Sequence, residues 1–178
     1  TQASVKELQG MGLMPDVLVC RSEYPIPQEV KAKIALFCNV PPSHVLQNLD
    51  VEYLYEAPLA MEREKLAQVV LESLQLPQRE PELMDWRDMV DSLKNPRSEV
   101  EIAIVGKYTQ LHDAYLSVVE ALKHGGIAAR VSVKLRWVDS EDVEKETAEE
   151  CLSGVDGILV PGGFGPRGTE GMVEAVHY

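Results

Sequence analysis

The densest chemical signal in this 178-residue chain is the run Gly162-Gly163-Phe164-Gly165-Pro166-Arg167-Gly168, entered from Gly157-Ile158-Leu159-Val160-Pro161. A short β-branched run stopped by Pro and followed by glycines reads as a buried strand opening into a tight loop. Glycines let the backbone approach a ligand closely and aim successive N–H groups at one point. Such a loop can hold a negative oxygen, either of a phosphate or of an acyl-transfer oxyanion. Gly163, Gly165 and Gly168 also fit G-x-G-x-x-G, so a non-catalytic nucleotide-binding module is a competing reading. Pro166 weakens it by removing an N–H inside the phosphate cradle. So does position, because that fingerprint belongs to the first βα turn of its domain, with an acidic residue ~20 positions later. A P-loop is excluded, since no Gly-Lys-Ser/Thr follows. The residues alone leave three readings open: an oxyanion loop, a nucleotide cradle and a tight structural turn.

The other reactive residue types carry less. Cys20, Cys38 and Cys151 share no metal-like spacing, and no metal site is expected. Cys20 and Cys38 sit in apolar runs and read as small buried hydrophobes. Cys151 lies in an acidic stretch with no base nearby and no elbow glycines, so it is not expected to act as a nucleophile. His112, His124 and His177 read as surface or capping residues, and His44 as part of a connecting loop after Pro41-Pro42. On spacing alone Lys33 is a solvated helix charge.

The elements that must position the loop follow from periodicity. Asp16 to Cys20 and His44 to Leu49 read as strands. Pro27 opens a helix through Phe37, with Val30, Ile34 and Phe37 on one stripe. A long amphipathic helix is predicted from Leu59 to Leu74, its stripe being Leu59, Leu66, Val69, Val70 and Leu74. Pro77, Pro81 and Pro96 then punctuate a polar linker containing one short amphipathic helix around Trp86. From Val100 the pattern is βαβαβ: strands at Val100–Val105, Val131–Val138 and Gly157–Val160. The helices between them are Asp113–Lys123, ended by Gly125-Gly126, and an acidic one from Ser140 to Leu152. A last helix begins near Glu170. The fold class is α/β, with parallel sheets and flanking helices, and ligands in such sheets bind beyond the strands' carboxyl ends. Gly106-Lys107-Tyr108 and Gly162–Gly168 both lie at such ends. The open edge expected of a three-strand parallel sheet, and the absence of an initiator Met, point to a fragment.

Composition bounds the partners. With 29 acidic and 17 basic residues the net charge is −12, which argues against a nucleic-acid or anionic-membrane surface. No apolar stretch approaches the ~20 residues that span a bilayer. The odd cysteine count fits a reducing, cytoplasmic setting.

Three stretches carry a family resemblance. Val105-Gly106-Lys107-Tyr108 through Asp113-Ala114-Tyr115 to Lys123-His124-Gly125-Gly126 resembles CTP synthase. So do Asp16-Val17-Leu18-Val19-Cys20-Arg21-Ser22 with Ala32-Lys33-Ile34-Ala35-Leu36-Phe37-Cys38-Asn39-Val40, and the loop Val160–Gly168. The resemblance implies a ligase of pyrimidine biosynthesis that aminates UTP to CTP with ATP and Mg²⁺, using ammonia released from glutamine. It also implies a homotetramer activated allosterically by GTP. Residues 1–76 correspond to the C-terminal part of a P-loop NTPase-like amidoligase domain and 77–99 to a linker. Residues 100–178 correspond to the start of a flavodoxin-like class I glutaminase domain.

Residue by residue, the resemblance assigns UTP/CTP contacts to Thr1, Gln2 and Lys33, and ATP contacts to Arg21 and Val51, the latter beside Asp50. Gly162, Gly163, Phe164, Gly165 and Arg167 match the oxyanion and glutamine loop, and Lys107 and Tyr108 line the same site. No catalytic residue is expected in these 178 residues. The family's glutaminase Cys in its Gly-x-Cys-x-Gly elbow, the His and Glu that activate it, and the amidoligase P-loop have no counterpart here. The segment by itself is therefore expected to be inactive.

Overall fold

The computed structural model describes all of residues 1–178 and comprises two compact units, Thr1–Arg87 and Asp88–Tyr178. In the first, helix α1 (Gln2–Gly10) precedes strand β1 (Leu18–Ser22), helix α2 (Gln28–Cys38) and strand β2 (Val45–Leu49). β1 and β2 pair in parallel, Leu18 opposite Val45 and Ser22 opposite Leu49, with α2 as the crossover. Pro27 precedes the first turn of α2, and Asn39 closes the helix in the left-handed conformation (φ 56°) that Asn tolerates. Val5, Leu18, Cys20, Ala35, Cys38, Val40 and Val45 form the core.

The stripe expected on α2 is not the one the fold buries. Val30 and Phe37 are 43% and 62% exposed, and the inner face is Lys31, Ala35 and Cys38, with Ile34 packed beside it. Small residues bring the helix close to the strands, and Lys31 enters because Glu64 meets its ammonium at 2.7 Å.

Glu64 also divides the single helix predicted from Leu59 to Leu74. It separates α3 (Ala57–Arg63) from α4 (Leu66–Ser73), with Lys65 left-handed at φ 62°. Of the predicted stripe only Val69 is buried, and Leu74 is 62% exposed. Helix α5 (Met84–Lys94) occupies the predicted linker, and the boundary between the units falls within it.

In the second unit strands β3 (Ser98–Gly106), β4 (Val131–Asp139) and β5 (Gly157–Leu159) form a parallel sheet in the order β4-β3-β5. The expected α/β class and parallel pairing are what the chain adopts. β3 is the central strand and its alternation feeds two cores. Ala103 and Val105 face Val138, Val143, Leu152 and Ala175, whereas Ile104 faces Tyr115 and Val119.

Two helix predictions need correction here. Helix α6 (Leu116–Ala129) follows a 3₁₀ turn at His112–Tyr115 and runs straight through Gly125-Gly126. A Cβ on Gly126 would lie 2.7 Å from Val133 Cγ2 and 2.8 Å from the Val131 carbonyl oxygen, so this glycine lets helix and strand approach. The helix closes instead at Arg130, which is left-handed at φ 57°. The acidic segment forms two helices, α7 (Ser140–Lys145) and α8 (Ala148–Leu152), because Thr147 caps the second by accepting the Glu150 N–H at 3.2 Å. Helix α9 (Thr169–His177) follows the glycine loop. No helix is long and apolar enough to cross a membrane.

Candidate functional site

β5 hydrogen-bonds to β3, so the glycine loop leaves the sheet beside Gly106-Lys107-Tyr108, at the carboxyl ends of both strands. Two cations tie these segments together in opposite directions. The Lys107 side chain, only 5% exposed, donates through its ammonium to the Gly165 carbonyl and to Thr169 Oγ1 (3.1 Å). Arg167 donates back to the Lys107 carbonyl (2.6 Å) and to Glu141 (2.9 Å), and that carboxylate holds the guanidinium pKa above its ordinary value. Tyr108 Oη accepts the Phe164 N–H at 3.4 Å, and the Phe164 side chain is 93% exposed. A cavity of about 490 Å³ opens between loop and helix, lined by Lys107, Gly163, Gly165, Thr169, Met172 and His177 among others. His177, read as a surface or capping residue, thus borders this cavity.

The glycines have distinct jobs. Gly165 (φ 78°) and Gly168 (φ 66°) adopt backbone conformations that L side chains rarely take. A Cβ on Gly163 would sit 3.0–3.3 Å from the Lys107 methylenes, so its absence lets that stem cross the loop. At Gly168 a Cβ would lie 2.1 Å from Ser140 Oγ, and at Gly171 1.9 Å from the Ser140 carbonyl oxygen. These two serve the close approach of α9 to α7. The Gly171 N–H is already taken by Glu144 Oε1 at 3.2 Å. A carboxylate of the chain itself therefore occupies this donor in the first turn of α9, and packing accounts for Gly168 and Gly171.

The Cys151 thiol is pushed up to about 11 by burial, by its hydrogen bond to Glu146 (3.4 Å) and by the charges of Glu146, Asp142 and Glu150. Such a thiol is a poor nucleophile at neutral pH. His112 stacks on Trp137 with ring centroids 4.4 Å apart, and His44 Nδ1 lies 2.8 Å from the Asp16 carbonyl oxygen. No group of three or more His, Cys, Asp or Glu residues could hold a metal ion.

In the first unit Arg21 pairs with Asp50 at 2.9 Å, which places Arg21 and Val51 at the carboxyl ends of β1 and β2. Thr1 and Gln2 begin α1, with Thr1 Oγ1 3.9 Å from Cys20 Sγ. Lys33 is exposed on α2. No hydrogen bond or ion pair joins Thr1, Gln2 and Lys33 to one another. The cluster that periodicity did not reveal is Lys31, Glu64 and Gln47. Glu64 accepts from the Lys31 ammonium (2.7 Å), the Gln47 N–H (3.1 Å) and Gln47 Nε2 (2.9 Å), while Gln47 Oε1 accepts the Ile26 N–H (2.9 Å). Burial pushes the Glu64 carboxyl up, but the Lys31 and Gln47 bonds outweigh it and its pKa falls below the ordinary value.

The profile of class I glutamine amidotransferases matches residues 110–178, which carry β4, β5 and the glycine loop. The profile of the CTP synthase N-terminus matches residues 1–76. CTP synthases from Caldanaerobacter subterraneus and Paracoccus denitrificans are 53% and 57% identical to the chain along its whole length. That of Ruminiclostridium cellulolyticum is 55% identical. The chain belongs to the CTP synthase family, and it spans about one third of the length of these relatives, 32–33% of each.

Proposed function

We propose that the chain forms the joining third of a glutamine-hydrolysing ligase that aminates UTP to CTP at the expense of ATP. In this reading residues 1–76 complete the amidoligase, 77–99 link the two machines, and 100–178 open the glutaminase. Gly162 and Gly163 present backbone N–H groups to the glutamine-derived oxyanion, with Phe164, Gly165 and Arg167 over the site and Lys107 and Tyr108 along its wall. Thr1, Gln2 and Lys33 contact the pyrimidine nucleotide, and Arg21 and Val51 contact ATP. Mg²⁺, activation by GTP, a homotetramer and a cytoplasmic location belong to the same proposal. The observation that carries it is the glycine loop at the carboxyl end of β5, clamped by Lys107 and Arg167 beside an open cavity.

The test is a chimera in which these 178 residues replace the matching third of the Caldanaerobacter enzyme. It should form CTP from glutamine. Gly163→Val, which crowds the Lys107 stem, should lower the glutamine-dependent rate on the order of 100-fold and spare the ammonia-dependent one. A chimera that uses ammonia but never glutamine overturns the glutaminase assignment. The segment alone should release no ammonia from glutamine, and calorimetric titration with NAD(H) should be silent.

A further inference from the structure

We infer that Tyr115 is a positioning residue for the glycine loop, acting through the backbone of Lys107 and Tyr108. Its phenol oxygen accepts two hydrogen bonds from consecutive N–H groups, Lys107 at 3.0 Å and Tyr108 at 3.3 Å. These are the first residues beyond β3, and nothing in the sheet holds them. The phenol stands in for the missing strand partner, and at 3% exposure water cannot replace it. Gly106 makes room for it, since a Cβ there would lie 2.5 Å from Tyr115 Oη.

What the hydroxyl anchors is the segment that holds the loop. Lys107 reaches across to Gly165 and Thr169, its carbonyl accepts from Arg167, and Tyr108 Oη receives the Phe164 N–H. Every one of these polar ties between the β3 end and the loop starts from the two residues whose N–H groups Tyr115 binds. The ring itself is fixed separately, packed against Trp137 (6.2 Å) and Tyr108 (6.0 Å). Removing the oxygen therefore leaves the packing in place and orphans the buried Lys107 donor and the half-buried Tyr108 donor. Tyr115 does not line the cavity and touches no reacting atom.

The functional consequence rests on the glutaminase reading of the loop, but the positioning itself does not. Amide hydrogen exchange on the 178-residue chain tests the latter. Tyr115→Phe should speed exchange at Lys107, Tyr108 and Phe164 by on the order of tenfold, with amides of the first unit unchanged. Tyr108→Phe, which keeps the Tyr115 bonds, should speed exchange at Phe164 and leave Lys107 protected. In the active chimera Tyr115→Phe should raise the KM for glutamine or lower kcat/KM on the order of tenfold, with the ammonia-dependent rate retained. Unchanged exchange at Phe164 in Tyr115→Phe overturns the inference, as does an active chimera whose glutamine kinetics the substitution leaves untouched. Equal loss of the glutamine and ammonia routes also overturns it, because that marks a purely structural residue. An unsubstituted chimera that never uses glutamine refutes the glutaminase reading instead, and leaves the exchange result to decide the positioning role. Should Tyr115→Phe fail to fold, Tyr108→Phe decides: slowed or unchanged exchange at Phe164 refutes the path from the β3 end to the loop.

Discussion

Replacing Gly168 by Ala should destabilise the second unit by about 3 kcal/mol, and about half of that loss should disappear when Ser140 is Ala. Two costs combine at Gly168. A non-glycine residue held at φ 66° pays roughly 1–2 kcal/mol. The new methyl also falls 2.1 Å from Ser140 Oγ, and Ser140 is fully buried, so the overlap adds roughly 1–3 kcal/mol. Ser140 Oγ has no hydrogen-bond partner, and a buried unpaired hydroxyl itself costs about 1–3 kcal/mol. Ser140→Ala alone should therefore be neutral or stabilising. In the Ser140→Ala background the nearest side-chain atom left is Cβ, 3.1 Å away, so Gly168→Ala should cost only the left-handed strain, about 1.5 kcal/mol. The coupling between the two sites is then about 1.5 kcal/mol. Urea unfolding of the four variants measures it, with Trp86→Phe throughout so that Trp137 in β4 is the sole indole. Costs that add to within about 0.5 kcal/mol would refute the close approach of α9 to α7 as the reason for this glycine.

Three further outcomes follow from the same geometry. Gly125 meets nothing within 4 Å and Gly126 meets Val133 and Val131, so thermal denaturation should show Gly125→Ala stabilising by about 0.5–1 kcal/mol and Gly126→Ala destabilising. Glu64→Gln should cost about 2 kcal/mol at neutral pH by leaving Lys31 buried without its counter-charge. Because the folded-state pKa of Glu64 lies below its ordinary value of 4.5, its contribution is complete above that pH and is lost as pH falls through the lower value. Stability measured by urea titration from pH 7 to pH 3 should accordingly fall less steeply in Glu64→Gln than in the parent chain. Cys151, with its thiol near 11 against an ordinary 9.0, carries roughly one-hundredth the usual thiolate at pH 8; the greater nucleophilicity of a more basic thiolate offsets part of this, so it should alkylate with iodoacetamide about 10-fold more slowly than a free thiol. Glu146→Gln should speed that reaction.

Strand positions were legible because they depend on local composition. Val100–Val105 is rich in β-branched residues and Val131–Val138 alternates apolar with polar ones, and both lie within strands of the parallel sheet. Helix ends and faces were less legible, because the deciding partners are remote. Val30 and Phe37 satisfy the helical period as well as Lys31, Ala35 and Cys38 do; only Glu64, 33 residues away, makes the Lys31 face the buried one. The same carboxylate breaks the predicted helix 59–74, and its motive for turning inward is a lysine that composition marks as solvated. Gly125-Gly126 read as a stop because glycine ends helices when nothing else asks for it, whereas β4 asks for it here.

The loop shows the same limit at closer range. Its glycines were visible, but a G-x-G-x-x-G spacing does not say what stands opposite each one. Gly163 faces the Lys107 stem, Gly165 supplies a left-handed turn with its carbonyl on the Lys107 ammonium, and Gly168 faces Ser140. Only the first two border the cavity. A pattern that looks like one cradle is thus two arrangements abutting: an opening onto the cavity, and a packing contact that sets where α9 begins. Pro166 between them has no N–H to offer an anion, and the donor one turn further on, Gly171, is spent on Glu144. Two donors that a phosphate cradle would draw on are thus missing from the loop and the first turn of α9, which favours the proposed oxyanion reading over the dinucleotide one.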